Sequence, residues 1–414
     1  MTDPGPSESR VFEDVKVEGH LIDSGIISRI MDDIMDLEGE FETLRFDVGR
    51  TNTDSSVAVM RVIGRDSEHL DKLMAVIQEH GVVPLNQEDV VTVAAPADGV
   101  FPDGFYSTTN MGTCVRVEGD WVDVSDPEMD LGVRLDADGS RASAVPISDV
   151  RAGDRFVVGR TGVRVLPVER PREKQPFEFM ASAVSSEKPK AQIVGEVARL
   201  LRRTKADGKR IIAVAGPAVI HTGAGEHLAR LVEMGYVDVL FGGNAVATHD
   251  IEAALYGTSL GVRLDDGAIV PGGHEHHLRA INVIRGQGGI REAVASGVLT
   301  KGLMHTLVTR EVPYVLAGSI RDDGPLPDVI TDVVEAQAAM RAYCQGAGAC
   351  LMLSTMLHAI ATGNMLPASV YTVCVDINPA VVTKLADRGS WQTIGVVTDV
   401  GLFLEQVASA LEAE

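Results

Sequence analysis

The sequence is poor in cysteine and aromatic residues and has no long apolar run. Its four cysteines, Cys114, Cys344, Cys350 and Cys374, form no C-x-x-C pair and join no histidine cluster with the spacing of zinc ligands. This pattern argues against a disulfide scaffold and a zinc module, and it indicates free thiols in a reducing compartment. No segment of about eighteen residues is apolar and uncharged, so we expect no transmembrane helix.

Lysine is also scarce: nine lysines stand beside twenty-eight arginines, and the formal net charge is −22. Such an acidic surface repels nucleic acid and anionic membranes, so we expect neither as a partner. Acid-rich, lysine-poor surfaces suit a salt-rich cytoplasm, because ions screen their self-repulsion. The N-terminal residues lack the basic and apolar regions of a secretory signal. We therefore expect a cytoplasmic protein adapted to high salt.

The chain of 414 residues is long enough for two or three domains, and its apolar patterns predict three. In residues 1–100 helical and alternating patterns follow one another, which predicts a small α+β domain. Residues 101–175 consist of short strand-like runs separated by Gly, Asp and Pro, which predicts a mostly β domain. Residues 176–414 alternate between strand and helix patterns, as α/β domains do.

The third domain is predicted to be a doubly wound parallel sheet. Its strands are nearly continuous apolar runs, as is typical of strands buried on both faces. The runs are IIAVAG, VDVLFGG, YVLAGS, ACLMLS, YTVCVD and TIGVV. Helical segments separate them, which indicates parallel strands joined by crossover helices. The clearest helix is predicted at 379–388, because Asn378 can cap it, Pro379 begins it and Gly389 follows it.

Open α/β sheets bind ligands beyond the carboxyl ends of their strands, and several polar residues lie there. Asn244 either binds a ribose or amide group of a ligand or caps the next helix. Asp376 ends the fifth run, where a carboxylate usually binds the adenosine ribose, and its charge favours NAD over NADP. For Asp399 and Val400, adenosine binding and helix capping are equal alternatives. The turn 216–225 predicts a phosphate loop or a tight turn, since it lacks the G-x-G-x-x-G spacing.

The loop after YVLAGS contains the candidate catalytic groups. Asp322 and Asp323 lie beside Arg321, and carboxylates at a strand end can bind a cationic amino group or take its proton. A solvated loop is the alternative. After ACLMLS, the residues Thr355–His358 either bracket a planar ring or belong to the core. The histidines of PGGHEHHL lack an acidic or cysteine partner at ligand spacing, so no metal is predicted; they are His274, His276 and His277.

Eight strings of the sequence together resemble one protein family. In the third domain they are GPAVIHTGAGEHL, GNAVATHDIEAALYGTSLG, GGHEHHLRAINVIRGQGGI, VLAGSIRDDGPLPDVITDVVEAQ, STMLHAIATGNMLP and CVDINPAVVTKLADRG. These resemble the archaeal-type ornithine cyclodeaminases, which also form the C-terminal part of bifunctional arginine dihydrolase/ornithine cyclodeaminases. RFDVGRTNTDSSVAVMRV and GFYSTTNMGTCVRVEGDWV resemble that family's lysine-oxoglutarate-reductase/saccharopine-dehydrogenase-like segment. The resemblance covers residues 11–410.

The resemblance implies a modified Rossmann fold of the deoxyhypusine-synthase type that binds NAD. The NAD contacts that it implies are Asn244, Ala245, Asp323, Thr355, Met356, Leu357, His358, Asp376, Asp399 and Val400. The implied reaction converts L-ornithine to L-proline and ammonia, with NAD⁺ used and regenerated in one cycle. Since Asp323 then belongs to the cofactor, Asp322 is left as candidate base or δ-ammonium anchor, and Arg321 as candidate carboxylate ligand. A homo-oligomer is expected of this fold type.

Three other functions remain open at this point. Amine transfer to a protein lysine, as in deoxyhypusine synthesis, needs an active-site lysine, and neither Lys301 nor Lys384 lies at a strand end. An NAD-dependent amino-acid dehydrogenase would release NADH, whereas a cyclodeaminase regenerates NAD⁺. A non-catalytic NAD-sensing module would bind NAD without ornithine turnover.

Overall fold

The computed structural model divides the chain into two units, Met1–Gln175 and Pro176–Glu414. The structure describes residues 11–22, 24–49, 54–85, 88–166, 190–265, 267–268, 270, 273–322, 324–387 and 393–413. Within these ranges, no helix is both long and apolar enough to cross a membrane.

The first unit begins with helices and strands in a βαββαβ order. They are β1 (Val11–Gly19), α1 (Ile26–Asp36), β2 (Glu40–Asp47), β3 (Ser56–Gly64), α2 (Ser67–Ile77) and β4 (Val83–Pro84). The sheet order is β2-β3-β1-β4, with antiparallel pairs, which is the ferredoxin-like topology. Ile30 and Ile34 of α1 and Leu73 and Ile77 of α2 are fully buried in the core that they share with this sheet. The predicted α+β segment is confirmed.

A second sheet follows in the first unit. Its strands are β5 (Val91–Ala94), β6 (Gly112–Val117), β7 (Asp120–Ser125), β8 (Gly132–Leu135), β9 (Ala142–Val145), β10 (Arg155–Val158) and β11 (Val163–Leu166). Their order is β11-β6-β7-β9-β8-β10-β5. Residues 91–166, all of which the structure describes, contain no α-helix. This confirms the predicted mostly β segment.

Cys114 lies within β6 of this sheet and is a structural residue. It is buried, and its thiol donates to Oδ1 of Asp123 at 3.0 Å. Burial raises the pKa of Cys114 to about 12, and the neighbouring Asp123 adds to the rise. A thiol with this pKa stays protonated at neutral pH, so it is not a nucleophile.

The second unit alternates between strands and helices. Its strands are β12 (Arg210–Ala215), β13 (Val239–Gly243), β14 (Thr258–Ser259), β15 (Val262–Arg263), β16 (Tyr314–Ala317), β17 (Val329–Ile330), β18 (Ala347–Leu353), β19 (Tyr371–Asp376) and β20 (Thr393–Val397). The first helices are α3 (Lys190–Ala206), α4 (Ala218–His221), α5 (Gly225–Glu233), α6 (Asn244–Tyr256), α7 (His276–Gln287) and α8 (Ile290–Ala295). The remaining helices are α9 (Leu303–Thr309), α10 (Val333–Cys344), α11 (Leu357–Met365), α12 (Pro379–Asp387) and α13 (Val400–Glu412).

Seven of these strands form a parallel sheet in the order β17-β16-β13-β12-β18-β19-β20. The first strand in chain order is β12. The strands β13, β16 and β17 follow on one side of it, and β18, β19 and β20 follow on the other side. Strand order therefore reverses between β12 and β18, which is the place where doubly wound sheets bind ligands. The predicted doubly wound parallel sheet is confirmed.

Side chains of β12 alternate between two apolar layers. Ile211 and Ala213 pack with α3, α5 and α13 on one face, and Ile212 and Val214 pack with α10, α11 and α12 on the other. Because both faces are covered, the strand is apolar at every position from Ile211 to Ala215, which explains its continuous run in the sequence.

Two local predictions in this unit can be compared with the structure. The predicted helix 379–388 is α12, and Oδ1 of Asn378 accepts a hydrogen bond from Ala380 N at 3.0 Å, so the predicted cap is confirmed. Residue 388, which ends the predicted helix, and Gly389 lie outside the described residues. His276 begins α7 and contacts the Thr258 hydroxyl at 2.7 Å. In the part of the chain that the structure describes, no His, Cys, Asp and Glu side chains group as metal ligands.

Candidate functional site

The carboxyl ends of the parallel strands form one edge of the sheet, and the predicted site residues lie along it. At the switch point, the backbones that leave β12 and β18 are in contact. A Cβ atom on Gly216 would lie 2.0 Å from the carbonyl oxygen of Ser354, and the Gly216 N–H donates to Leu353 O at 2.9 Å. Only glycine fits this approach. Within the segment 216–225, the residues Ala218–His221 form α4.

Asn244 is the first residue of α6 and is buried. The N-cap of this helix is Gly243, so the capping alternative for Asn244 is wrong. Its side-chain oxygen instead accepts from Leu326 N at 3.0 Å and from the Thr248 hydroxyl at 3.3 Å. Asn244 therefore joins the end of β13 to the loop after β16. With its oxygen occupied, the side chain can offer a ligand only its amide NH₂ group.

His358 lies in the first turn of α11, and its ring reaches the end of β13. A Cβ atom on Gly243 would lie 3.0 Å from Cε1 of His358. The imidazole thus spans the switch point, because β13 and β18 lie on opposite sides of β12. Burial lowers the pKa of His358, and the carboxylate of Asp322 opposes this shift. The ring is therefore neutral at neutral pH.

The loop after β16 holds Asp322 in a tight turn. Oδ2 of Asp322 accepts from Ser319 N at 2.8 Å, and Asp322 N donates to Ser319 O at 3.1 Å. The Arg321 N–H donates to the Ser319 hydroxyl at 3.2 Å, while its side chain is exposed. The solvated-loop alternative thus describes Arg321, whereas Asp322 is partly buried and fixed. Asp323 lies outside the described residues.

The two apolar residues Met356 and Leu357, which follow β18, are not part of the core. Met356 and Leu357 are exposed, which makes the core interpretation of these two residues wrong. Thr355 is partly buried. Ser354 has a φ of 48°, in the left-handed region that non-glycine residues seldom adopt, and this turn directs the segment outward. Apolar side chains thus face solvent at an edge that is otherwise polar.

The ends of β19 and β20 bring two carboxylates to the same part of the edge. Oδ1 of Asp376 accepts from Asn378 N at 2.8 Å, and its carbonyl accepts from Thr398 N at 3.2 Å. Asp399 is the N-cap of α13, accepting from Leu402 N at 2.9 Å, so its capping alternative is realised. The side chain of Val400 is buried in the core, so a ligand can reach only its backbone.

The structure therefore gathers the predicted residues into two groups. Asn244 and the His358 ring lie at the end of β13 and Asp322 lies in the loop after the neighbouring strand β16, whereas Asp376 and Asp399 follow the ends of β19 and β20. Two residues of the site were not predicted. Gly243 provides the backbone against which the His358 ring lies, and Ser319 fixes Asp322. A serine three residues before an aspartate in a turn is a local signal that could have revealed Ser319.

Three family models match consecutive parts of the chain. The LOR/SDH bifunctional enzyme conserved region matches residues 12–111. The first region of the C-terminal part of ArgZ-like arginine dihydrolases matches residues 112–194. The Rossmann-fold region of the same C-terminal part matches residues 195–407.

Similar proteins extend over nearly the whole chain. An ornithine cyclodeaminase of Methanopyrus kandleri is 54% identical over 401 residues, which are 97% of this chain and 97% of that protein. The apo structure of ArgZ, an arginine dihydrolase from the ornithine-ammonia cycle in cyanobacteria, has a TM-score of 0.85 and 40% identity, covering 98% of this chain and 59% of that one. The ternary complex of AgrE with ornithine and NAD⁺ has a TM-score of 0.53 and 42% identity, covering 98% and 58%. The chain thus spans 97% of the archaeal relative and little more than half of ArgZ and AgrE.

Proposed function

We infer the function from one premise: this chain belongs to the family of the archaeal ornithine cyclodeaminases. We propose that it converts L-ornithine to L-proline and ammonia, with NAD⁺ used and regenerated within each cycle. The observation that carries the proposal is that the His358 ring lies against Gly243 at the end of β13, which pairs with Ala317 of β16, the strand that leads into the Asp322 turn at the carboxyl edge of the parallel sheet. That edge combines a charged and an uncharged group for handling the protons of a diamino acid.

The residues along this edge suit a dinucleotide. The helices α6, α11 and α13 begin there, and the N–H groups of a first helical turn suit phosphate oxygens. Exposed Met356, Leu357 and Ile377 offer apolar surface for planar rings. We propose that NAD⁺ is held by Asn244, Ala245, Asp323, Thr355, Met356, Leu357, His358, Asp376, Asp399 and Val400. When bound, NAD⁺ supplies the oxidation at the substrate α-carbon and reverses it after ring closure.

The protein's own groups must bind a substrate with one carboxylate and two ammonium groups. We propose Asp322 as the anionic group that anchors an ammonium group, because its carboxylate is fixed and partly buried. We propose Arg321 as the ligand of the substrate carboxylate, since its guanidinium is exposed next to Asp322 and makes bidentate pairs with carboxylates.

A turnover assay tests the proposed function. Purified protein is incubated with L-ornithine and a small amount of NAD⁺, and proline, ammonia and NADH are measured. We expect equal amounts of proline and ammonia, many turnovers for each NAD⁺, and no accumulating NADH. Accumulation of NADH with a keto acid would instead indicate an amino-acid dehydrogenase. NAD⁺ binding without any turnover would indicate a sensing module.

We also propose adaptation to high salt, because the net charge of −22 is spread over a chain with only nine lysines. Screening relieves the repulsion among carboxylates, so we expect stability and activity to rise from low to molar salt. Each kcal/mol that salt adds to the free energy of unfolding raises the Tm of a protein of this size by about 2–4 °C or somewhat less. Thermal melts in both NaCl and KCl measure the shift. Equal Tm values at low and molar salt would contradict the proposal.

We place the proposed activity in the cytoplasm, where NAD⁺ is abundant and thiols stay reduced, because Cys114, Cys344, Cys350 and Cys374 form no disulfide. The acidic surface makes nucleic acid and anionic membranes unsuitable partners. A homo-oligomer remains our expectation for this fold type, and light scattering on the purified protein measures it.

A further inference from the structure

We propose that the imidazole of His358 carries the proton in this reaction, and that Asp322 is the positioning residue whose charge acts through His358. The inference rests on the proposed function and deepens it, because it divides the acid–base work between two neighbouring groups. Three features of the second unit support it: the place of the ring, the surroundings of the ring, and the hydrogen bonds of the Asp322 carboxylate.

The first feature is the place of the ring. His358 starts from α11, beyond the end of β18, and its Cε1 lies 3.0 Å from the position of a Cβ atom on Gly243 at the end of β13. The ring therefore crosses the switch point between these strands. Asn244, with its amide NH₂ group available, is the next residue after Gly243. An imidazole placed here lies at the centre of the edge where ligands bind.

The second feature is what surrounds the ring. Gly243, against which the ring lies, pairs with Ala317 of β16, and the turn that follows holds Asp322 through Ser319. Among the residues that the structure describes, the Asp322 carboxylate is the charged group that raises the pKa of His358. The other adjacent segments contribute no titratable side chain: Gly242 to Ala245 around the start of α6, Gly216 and Pro217 after β12, and Ser354 and Thr355 after β18. Burial keeps the ring neutral, so a nitrogen lone pair is available at neutral pH.

The third feature is the hydrogen bond that the Asp322 carboxylate accepts from its own loop. Its Oδ2 accepts the Ser319 N–H at 2.8 Å, within the turn that also includes Asp322 N and Ser319 O. This hydrogen bond fixes the position of the carboxylate and uses one of its oxygens as an acceptor within the loop. Such a group suits an orienting charge, whereas a proton carrier must offer its lone pair to the substrate.

His358 alone balances the proton of the substrate α-ammonium group, and the two protons that the δ-nitrogen loses before and after ring closure pass to solvent water. A ring nitrogen of His358 accepts a proton from the substrate α-ammonium group; the N–H bond breaks and its electron pair stays on the substrate nitrogen. The imidazolium that forms is stabilised by the Asp322 carboxylate. When that same nitrogen leaves after ring closure, the imidazolium returns the proton and ammonia departs. The histidine thus ends the cycle as it began.

The test compares His358→Ala and His358→Gln with the wild type, with His274→Ala as the control, since His274 is an exposed histidine of the same unit. We expect kcat with ornithine to fall about 10²–10⁴-fold in both His358 variants. Added imidazole should restore part of the activity of His358→Ala, with a dependence on the neutral form of imidazole. NAD⁺ affinity is measured by calorimetry on each variant, so that a loss of cofactor binding is separated from a loss of proton transfer.

The pH profile adds a result that a purely structural role would not give. Wild-type kcat/KM should fall on the acidic side as His358 becomes protonated, and Asp322→Asn should move this limb to lower pH because the carboxylate raises the pKa of His358. Near wild-type kcat in His358→Gln would overturn the inference, as would a loss in His358→Ala at saturating NAD⁺ that imidazole does not rescue. If the wild type does not convert ornithine at all, the proposed function itself fails.

Discussion

Asp322→Asn is expected to lower kcat with ornithine about 10²–10⁴-fold while NAD⁺ affinity stays nearly unchanged. The substitution keeps the shape of the side chain and an oxygen that can accept the Ser319 N–H, but it removes the negative charge. The imidazolium of His358 then loses its stabilising partner, and the substrate loses an anionic anchor. Loss of the carboxylate that orients a catalytic histidine lowers kcat by about 10⁴ in serine proteases, which sets the upper end of the range.

Steady-state kinetics and calorimetry on the same preparation measure the two quantities. Asp207→Asn serves as the control for the loss of one negative charge, since Asp207 is exposed and lies just after α3. Asp323→Asn is expected to behave differently and to weaken NAD⁺ binding first, because the neighbouring Asp323 is a proposed cofactor ligand. Ornithine turnover near the wild-type rate in Asp322→Asn would show that neither the charge nor the basicity of this carboxylate is needed.

Asp376→Ala is expected to weaken NAD⁺ binding by about 10- to 150-fold. Hydrogen bonds from ribose hydroxyls to an ionised carboxylate contribute about 1.5–3 kcal/mol, and about 1.4 kcal/mol corresponds to a tenfold change in Kd. The wild type should bind NADP⁺ far more weakly than NAD⁺, since the Asp376 carboxylate opposes a 2′-phosphate. Both substitutions Asp376→Ala and Asp376→Asn should narrow this difference, because each removes the charge.

The comparison of the two variants separates ribose binding from local stability. Asp376 also accepts the Asn378 N–H at 2.8 Å, and asparagine retains an oxygen for this turn whereas alanine does not. We therefore expect only Asp376→Ala to lower Tm measurably. Equal affinities of the wild-type protein for NAD⁺ and NADP⁺ would contradict the proposed role of Asp376.

The parts of the site that the sequence predicts are those set by local chemistry. A carboxylate at the end of YTVCVD and an Asn-Pro pair after it are enough to place Asp376 at the edge and Asn378 at the cap, because strand end and helix start are only two residues apart. The parallel sheet is similarly predictable, because strands covered on both faces must be apolar throughout.

The parts that the sequence does not predict depend on segments that are distant in the chain. Asn244 looks like a helix cap from its neighbours, but its oxygen binds the N–H of Leu326, 82 residues away. Met356 and Leu357 look like core residues, and they are exposed because the turn at Ser354 directs them outward. The contact of His358 with Gly243 follows from strand order, which no local pattern records.

The most direct test of the account uses L-ornithine labelled with deuterium at the α-carbon. If oxidation and its reversal occur at that carbon with NAD⁺ retained in one cycle, the deuterium leaves the α-carbon and returns to it. Mass spectrometry of the product should then find the label at the α-carbon of proline, with ammonia formed in equal amount and no deuterated NADH in solution. Unlabelled proline, or deuterated NADH released in proportion to turnover, would contradict the proposal that this protein is an ornithine cyclodeaminase with internally recycled NAD⁺.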